Sequence, residues 1–425
     1  MIEPLRVALV GVKKDGVSKV HWENMLELQQ KGFVQFVAAA EMNLDDNPAV
    51  DYLRRMGVKV YQSHQDMIRG EEKRLDAVTI ATPHFTHIPI AKDILFDGAH
   101  VFLEKPPAVT VESGDLLLRY ARDCQKIVGV NYMFTAAASA LELRKRLRAG
   151  DIGEVLSATG IGKWTRSDEY FKGRAWAGKK MFNGEATLDG CLFNQFPHLL
   201  NQLVYFLAGA GVPVAESVRA ELYRGHYKTV CEMEDTASLH AKVSGKDIFL
   251  YCTTCMPQEY PFRVLIKGTE GEARWNEDGY AISRQNIPDA SSSIPETWKD
   301  RCMANYMNFL QAITHEVPLY WDLERALLTT KIINGAYMSS DGILQVPDHN
   351  IELCRQRAMA NTSGQANSGE YETLRSISNI ENAIADASAS HCMFSELVRY
   401  PAFKRERPAE TVDMREFVFD LGRVD

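Results

Sequence analysis

Residues 5–132 alternate short apolar runs with segments of helical period, and this alternation constrains the fold more than any other feature of the chain. The strand-like runs are 5–10, 34–40, 58–61, 77–81, 100–103 and 127–131. Helix punctuation lies between them. Asn47 caps a helix that starts at Pro48 and stops at Gly57. A second helix runs over 86–97 and ends at Gly98, and Thr110 caps a third that reaches Cys124. Strands and helices in strict alternation predict an α/β domain, a doubly wound parallel sheet covered on both faces. Ligands of such sheets lie beyond the carboxyl ends of the strands.

The pattern changes after a helix over 138–149, which Gly150 stops. From Val155 to Arg284 the chain reads mostly as strands, with candidates at 218–223, 236–243, 248–255, 262–267, 272–276 and 280–284. One long apolar helix over 195–207 interrupts them. Together they predict a second α/β domain built on a mostly antiparallel sheet. Helices over 295–314 and 323–340 follow, the second capped by Asp322. The expected domains are 1–132, 133–347 and an extension over 348–425. In the extension, 361–369 reads as a linker and 371–387 as a helix. Phe394, Leu397, Tyr400, Phe403, Phe417, Val418 and Phe419 give the tail apolar anchors, which predict docking on the body or on a neighbouring subunit.

A formal net charge of −8 argues against a broad nucleic-acid surface. No apolar run approaches the roughly 20 residues that span a bilayer, and the N-terminus lacks the layout of a signal peptide. With 8 cysteines in 425 residues, no disulfide framework is implied. Cys252 and Cys255 form a Cys-x-x-Cys without a second pair at zinc spacing. They read as buried thiols, not as a metal or redox centre, and the expected location is the reducing cytoplasm.

Gly11-Val12-Lys13-Lys14-Asp15-Gly16 follows the first strand. Gly11 and Gly16 fit the first and third positions of a dinucleotide-binding turn, but Lys13 replaces the second glycine. Lys13 or Lys14 can instead help neutralise phosphate. Glu41 ends the second strand, 30 residues after Gly11. A carboxylate there accepts hydrogen bonds from ribose hydroxyls and repels a 2′-phosphate, which favours NAD over NADP. Ala81-Thr82-Pro83 ends the fourth strand, where the chain turns beside the same ligand. Glu104-Lys105-Pro106 ends the fifth, and its lysine is placed to act on a substrate hydroxyl. Asn194 and His198 stand four apart at the start of the long apolar helix, on one face, with Gln195 between them.

In this order, these motifs resemble the glucose–fructose oxidoreductase/inositol dehydrogenase/rhizopine-catabolism family. Segments 76–83, 100–106, 129–131, 234–237 and 266–271 extend the likeness, which covers about residues 5–347. The resemblance implies an N-terminal Rossmann domain, a C-terminal domain with an open, mostly antiparallel sheet, and homo-oligomers (dimers or tetramers) built by packing those sheets. It implies hydride transfer between a nicotinamide cofactor and a secondary hydroxyl of a sugar, cyclitol or glycoside. Lys105 and His198 become the catalytic pair, with His198 taking the hydroxyl proton and Lys105 stabilising the oxygen or sharing the proton relay. Gly11, Lys13, Gly16, Glu41, Ala81, Thr82, Pro83, Glu104, Lys105 and Asn131 become cofactor contacts. Asn194, Gln195, Tyr132, Lys163, Arg166 and Trp176 become candidates for the substrate pocket. Asn194 stands where many members carry aspartate, and an amide cannot hold the charge of a carboxylate. Two other outcomes fit the same residues: glycoside cleavage that recycles NAD, and a dinucleotide-binding regulator without catalysis.

Overall fold

The computed structural model describes residues 3–284, 287–357 and 371–424. The N-terminal sheet contains β1 (Leu5–Val10), β2 (Val34–Ala40), β3 (Lys59–Tyr61), β4 (Ala77–Ile80), β5 (His100–Leu103) and β6 (Val128–Val130). It is wholly parallel, in the order β3-β2-β1-β4-β5-β6. Helices α1 (Gly16–Gln30), α2 (Pro48–Arg55), α3 (His64–Gly70), α4 (His87–Asp97) and α5 (Val111–Asp123) connect the strands. The punctuation works as the residues dictate. Asn47 Oδ1 accepts from Ala49 N, Gly98 takes φ 88° after α4, and Thr110 forms a capping box with Ser113. The strand order reverses between β1 and β4, so the cleft at their carboxyl ends is the topological switch point.

After α6 (Ala138–Arg148) comes a 10-stranded sheet. It contains β7 (Val155–Lys163), β10 (Ala215–Arg224), β11 (Thr236–Val243), β12 (Lys246–Thr253), β13 (Arg263–Gly268), β14 (Gly271–Asn276), β15 (Gly279–Arg284) and β16 (Ile287–Ser293). The edge strands β17 (Ile343–Gln345) and β20 (Val412–Asp413) both pair with β10. Only the β7–β12 and β10–β17 pairs are parallel. Helix α8 (Pro197–Leu207) lies across the inner face. A Cβ at Gly162 would approach Phe196 Cδ1 to 2.5 Å, so β7 needs glycine where that helix crosses. A short helix α7 (Asp168–Lys172) and a small hairpin, β8 (Met181–Phe182) with β9 (Glu185–Ala186), precede α8. Helix α9 (Trp298–His315) returns to the Rossmann sheet, where Tyr306 and Phe309 pack on Phe102. Helix α10 (Leu323–Ser339) lies between α5 and β10, and Asp322 caps it by accepting from Arg325 N.

The extension differs from expectation. Residues 371–387 are not one helix. They form β19 (Tyr371–Ile377), paired antiparallel with β18 (Ile351–Arg357), and then α11 (Ile380–Ser390). Asn379, at φ 61°, breaks the run between strand and helix. The partner strand, remote in sequence, decides the outcome here over local helix propensity. The expected linker over 361–369 lies outside the described residues. The tail docks on the chain's own body. Phe394 and Phe403 are buried against Tyr223, and Ile384 and Ala387 join the same apolar cluster as Ile161, Phe249 and Tyr251. Leu397 and Phe417 are half-buried, Tyr400 and Phe419 are buried, and Val418 is 78% exposed. The extension therefore covers part of the outer sheet face that the resemblance assigns to subunit packing. Among the described residues no helix is long and apolar enough to cross a membrane.

Candidate active site at the ends of the Rossmann strands

The turn after β1 is built for close approach. Gly11 has φ 93°, and a Cβ there would lie 2.7 Å from the Ala81 carbonyl oxygen. Ser18 Oγ donates to Gly11 O at 2.7 Å and accepts from Lys13 N at 2.8 Å, which closes the loop onto the start of α1. Gly16 also has positive φ and opens α1, whose N-cap residue Asp15 makes no side-chain capping hydrogen bond. A helix N-terminus so placed is an anion site of the kind a pyrophosphate uses. Glu41 is buried beside this turn and accepts from Val12 N at 2.8 Å and Asn43 N at 3.0 Å. Lys13 Nζ reaches Glu41 at 3.2 Å, so its charge is spent on that carboxylate. Ala81, Thr82 and Pro83 form the facing corner, tied through His87 to the carbonyl of Pro106, the residue after Lys105. That ring lies 2.9 Å from Pro106 O and 3.0 Å from Thr82 O. Missing its second glycine, the turn keeps the close backbone approach, the helix start and the acid that a dinucleotide requires, so the residues present fit NAD.

Glu104 and Asn131 brace the site from below. The Glu104 carboxylate accepts from Asn131 Nδ2 at 2.6 Å and Lys105 N at 3.2 Å, and lies 2.7 Å from His21 Nε2. Burial pushes its pKa up, but His21, Asn131 and Lys105 outweigh this and hold it at about 2. Both oxygens are thus engaged inside the protein. Lys105 emerges from this braced base half-buried, and its Nζ donates to the Asn194 carbonyl oxygen at 2.6 Å. Desolvation lowers its pKa, while Glu104 and Asp189 oppose the fall.

Asn194 Nδ2 donates to Asp189 Oδ1 at 2.9 Å and to Tyr170 Oη at 3.0 Å. Both amide hydrogens are used, which leaves Oδ1 as an acceptor. Asp189 was not singled out in the sequence. It is 2% exposed, accepts from Gly178 N at 2.7 Å, and follows Leu188, a buried residue held at φ 45°. Burial raises its pKa to about 7, against the pull of Gly178 N, Lys105 and Asn194. The carboxylate absent from position 194 is therefore present one hydrogen bond away. The signal for it was an isolated acid in the otherwise apolar run Leu188-Asp189-Gly190-Cys191-Leu192-Phe193. Tyr170 and His21 were also missed, because their partners are remote in sequence.

His198 is 3% exposed and boxed edge-on by Tyr132, Phe134 and Trp298, with ring centroids 5.8, 5.3 and 5.9 Å away. Among the described residues its buried Nδ1 has no hydrogen-bond partner. Burial, assisted by Lys105, lowers its pKa to about 3. Trp176 lies edge-on to His84 at the mouth of the Ala81–Pro83 corner. Arg166 stacks on Tyr170 and Trp164 and pairs with Glu259. Gln195 is buried at the start of α8. Lys163 is not brought to the site. On β7 the inward positions are Gly160 and Gly162, so Lys163 points to the outer face, where it pairs with Glu381 at 3.0 Å and covers Tyr260.

Cys252 and Cys255 are fully buried free thiols. Cys255 lies near His226 and Asp235, but that carboxylate already accepts from Gly225 N, His226 N and Thr236 Oγ1. The group reads as a hydrogen-bonded brace.

A six-stranded Rossmann sheet with a lysine, an amide and a histidine at its carboxyl edge defines an NAD-binding oxidoreductase fold. The chain belongs to the Gfo/Idh/MocA oxidoreductase family: residues 5–132 match its NAD-binding Rossmann domain and residues 140–274 its C-terminal domain. An inositol 2-dehydrogenase of Klebsiella pneumoniae is 24% identical over 75% of this chain and 89% of its own length. A glycosyl hydrolase family 109 protein of Shewanella amazonensis is 25% identical over 63% of this chain and 62% of its own. The oxidoreductase YfiI of Bacillus subtilis is 32% identical, but over only 36% of this chain and 40% of its own length. An inositol dehydrogenase homolog from Azotobacter vinelandii, solved with NAD+, superposes with a TM-score of 0.69. Identity is 17%, over 80% of this chain and 97% of that one.

Proposed function

We propose that this protein oxidises a secondary hydroxyl of a cyclitol, sugar or glycoside, using NAD. The observation that carries the reading is the convergence of Lys105, Asn194 and buried Asp189 at the end of β5. When bound, NAD supplies the hydride acceptor. Lys105 receives the hydroxyl proton, and burial, by lowering its pKa, favours the neutral amine that a base needs. The family resemblance gives that proton to His198. A pKa of about 3 makes it a weak acceptor, so its role becomes a neutral hydrogen-bond partner that orients the hydroxyl. Asn194 Oδ1 accepts from a neighbouring hydroxyl, with its rotamer fixed by Asp189 and Tyr170. Glu41 receives the adenosine ribose hydroxyls and disfavours a 2′-phosphate. Glu104 and Asn131 set the height of Lys105 from beneath.

The likeness to a glycosyl hydrolase family 109 protein supports a second reading, in which the same oxidation loosens a glycosidic bond and NAD is regenerated. Incubation with NAD and a panel of cyclitols, sugars and glycosides separates the outcomes. Net NADH with an intact carbon skeleton supports the first. Release of a leaving group without net NADH supports the second. Tight NAD binding with neither product refutes both and leaves a regulator.

A further inference from the structure

The extension does more than cover the sheet. Its strand β19 reaches α7, a five-residue helix too short to hold itself together. Arg375 on β19 grips Asp168 at the start of α7 with two hydrogen bonds, Nε to Oδ1 at 2.8 Å and Nη2 to Oδ2 at 3.0 Å. Both side chains are buried, and the guanidinium also lies 4.2 Å from the Tyr227 ring centroid. A planar fork matched to a carboxylate in this way fixes orientation as well as charge. The neighbouring acid is held by the same strand, since Thr373 N donates to Glu169 Oε2 at 2.8 Å. An antiparallel bridge joins Ser167 to Leu374. Asp168 is backed from inside by His226 Nε2 at 3.9 Å, itself braced by Asp235.

The far side of α7 faces the site. Tyr170 Oη accepts from Asn194 Nδ2 at 3.0 Å. Its ring carries the guanidiniums of Arg166 and Arg174, at 5.1 and 4.4 Å from its centroid. One chain of contacts therefore runs from Arg375 to Asp168, along α7 to Tyr170, and on to Asn194. We propose that Arg375, carried by the C-terminal extension, is a positioning residue for the substrate side of the active site, acting through Asp168 and Tyr170 on Asn194. The inference rests on the reading of Asn194 as a substrate contact. A domain that ended at β17 would lack this grip, so the extension belongs to the working parts of the enzyme.

The test compares wild type, Arg375→Gln and Arg375→Lys in the full-length protein. Amide hydrogen exchange over 166–174 reads the grip directly, without substrate. Arg375→Gln is expected to speed exchange there by at least about tenfold, with β1, β4 and β5 unchanged. Arg375→Lys, which keeps the charge but not the fork, is expected to fall between. On any panel polyol that the wild type oxidises, Arg375→Gln is expected to raise the polyol KM by about tenfold, with the KM for NAD unaltered and kcat little changed. If Arg375→Gln does not fold, the same comparison is made with Arg375→Lys alone. Unchanged exchange over 166–174 overturns the proposal. So does faster exchange with an unaltered polyol KM, which would make the grip structural only. If the wild type oxidises nothing in the panel, the functional reading fails and the substrate role of Arg375 falls with it. The exchange result then still shows whether the extension holds α7.

Discussion

Replacing Asp189 by asparagine is expected to make the protein more stable and less active, and the gain in stability should depend on pH. Burial raises the Asp189 pKa from 3.8 to about 7. A shift of about 3 units corresponds to about 4 kcal/mol of penalty once the group is ionised in both folded and unfolded chains. The sign follows from proton binding. Between the two values the folded state holds the extra proton, so stability falls as pH rises and the full penalty stands above about pH 7. Asparagine removes this dependence. It also loses one acceptor, facing either Gly178 N or Asn194 Nδ2, at a pH-independent cost of about 1–3 kcal/mol. The stability difference between variant and wild type should therefore be about 3 kcal/mol more favourable at about pH 8.5 than at about pH 5. Paired urea titrations at the two pH values measure it. With Asn194 less firmly oriented, kcat/KM should fall by about tenfold. An equal stability difference at both pH values would refute the claim that a desolvated carboxylate sits under Asn194.

Three further outcomes follow from the geometry. Gly11→Ala should destabilise the Rossmann domain by at least about 1–2 kcal/mol and weaken NAD binding, since the new Cβ meets Ala81 O in left-handed backbone. Thermal unfolding and an NAD titration check it, and unchanged affinity would separate the turn from the cofactor. Glu41→Ala should narrow the preference for NAD over NADP by about tenfold or more, read from the two dissociation constants. His198→Ala, by loosening the orientation of the hydroxyl, should lower turnover about a hundredfold while leaving NAD affinity intact, and near-normal activity would remove His198 from the scheme.

The Rossmann half was legible because its information is local. Asn47, Gly98 and Thr110 each mark a helix end by their own chemistry, and the strand runs are mostly apolar. In the second domain β10 to β15 were legible for the same reason, whereas β7, β17 and β20 had no strand candidate of their own, and neither had β16, a serine-rich edge strand whose pairing with β15 holds it in place. The extension was not, because β19 is a strand only by virtue of β18, and Arg375 means little until Asp168, 207 residues away, is beside it. Lys105, Asn194 and His198 were singled out from order and spacing, and the structure brings Lys105 against Asn194. Lys163 was misplaced because strand parity cannot be fixed until the glycines facing α8 are known. Asp189 escaped because its meaning lies in burial beneath Asn194, a tertiary property.

The central claim is that Lys105 moves the proton of a carbinol oxidised at the edge of the Rossmann sheet. NADH formation by wild type and Lys105→Met across the polyol and glycoside panel, with NAD affinity measured for both, tests it most directly. The account predicts NADH from at least one wild-type reaction, a loss of at least about a hundredfold in Lys105→Met, and comparable NAD binding by the two proteins. Undiminished NADH formation by Lys105→Met would contradict it.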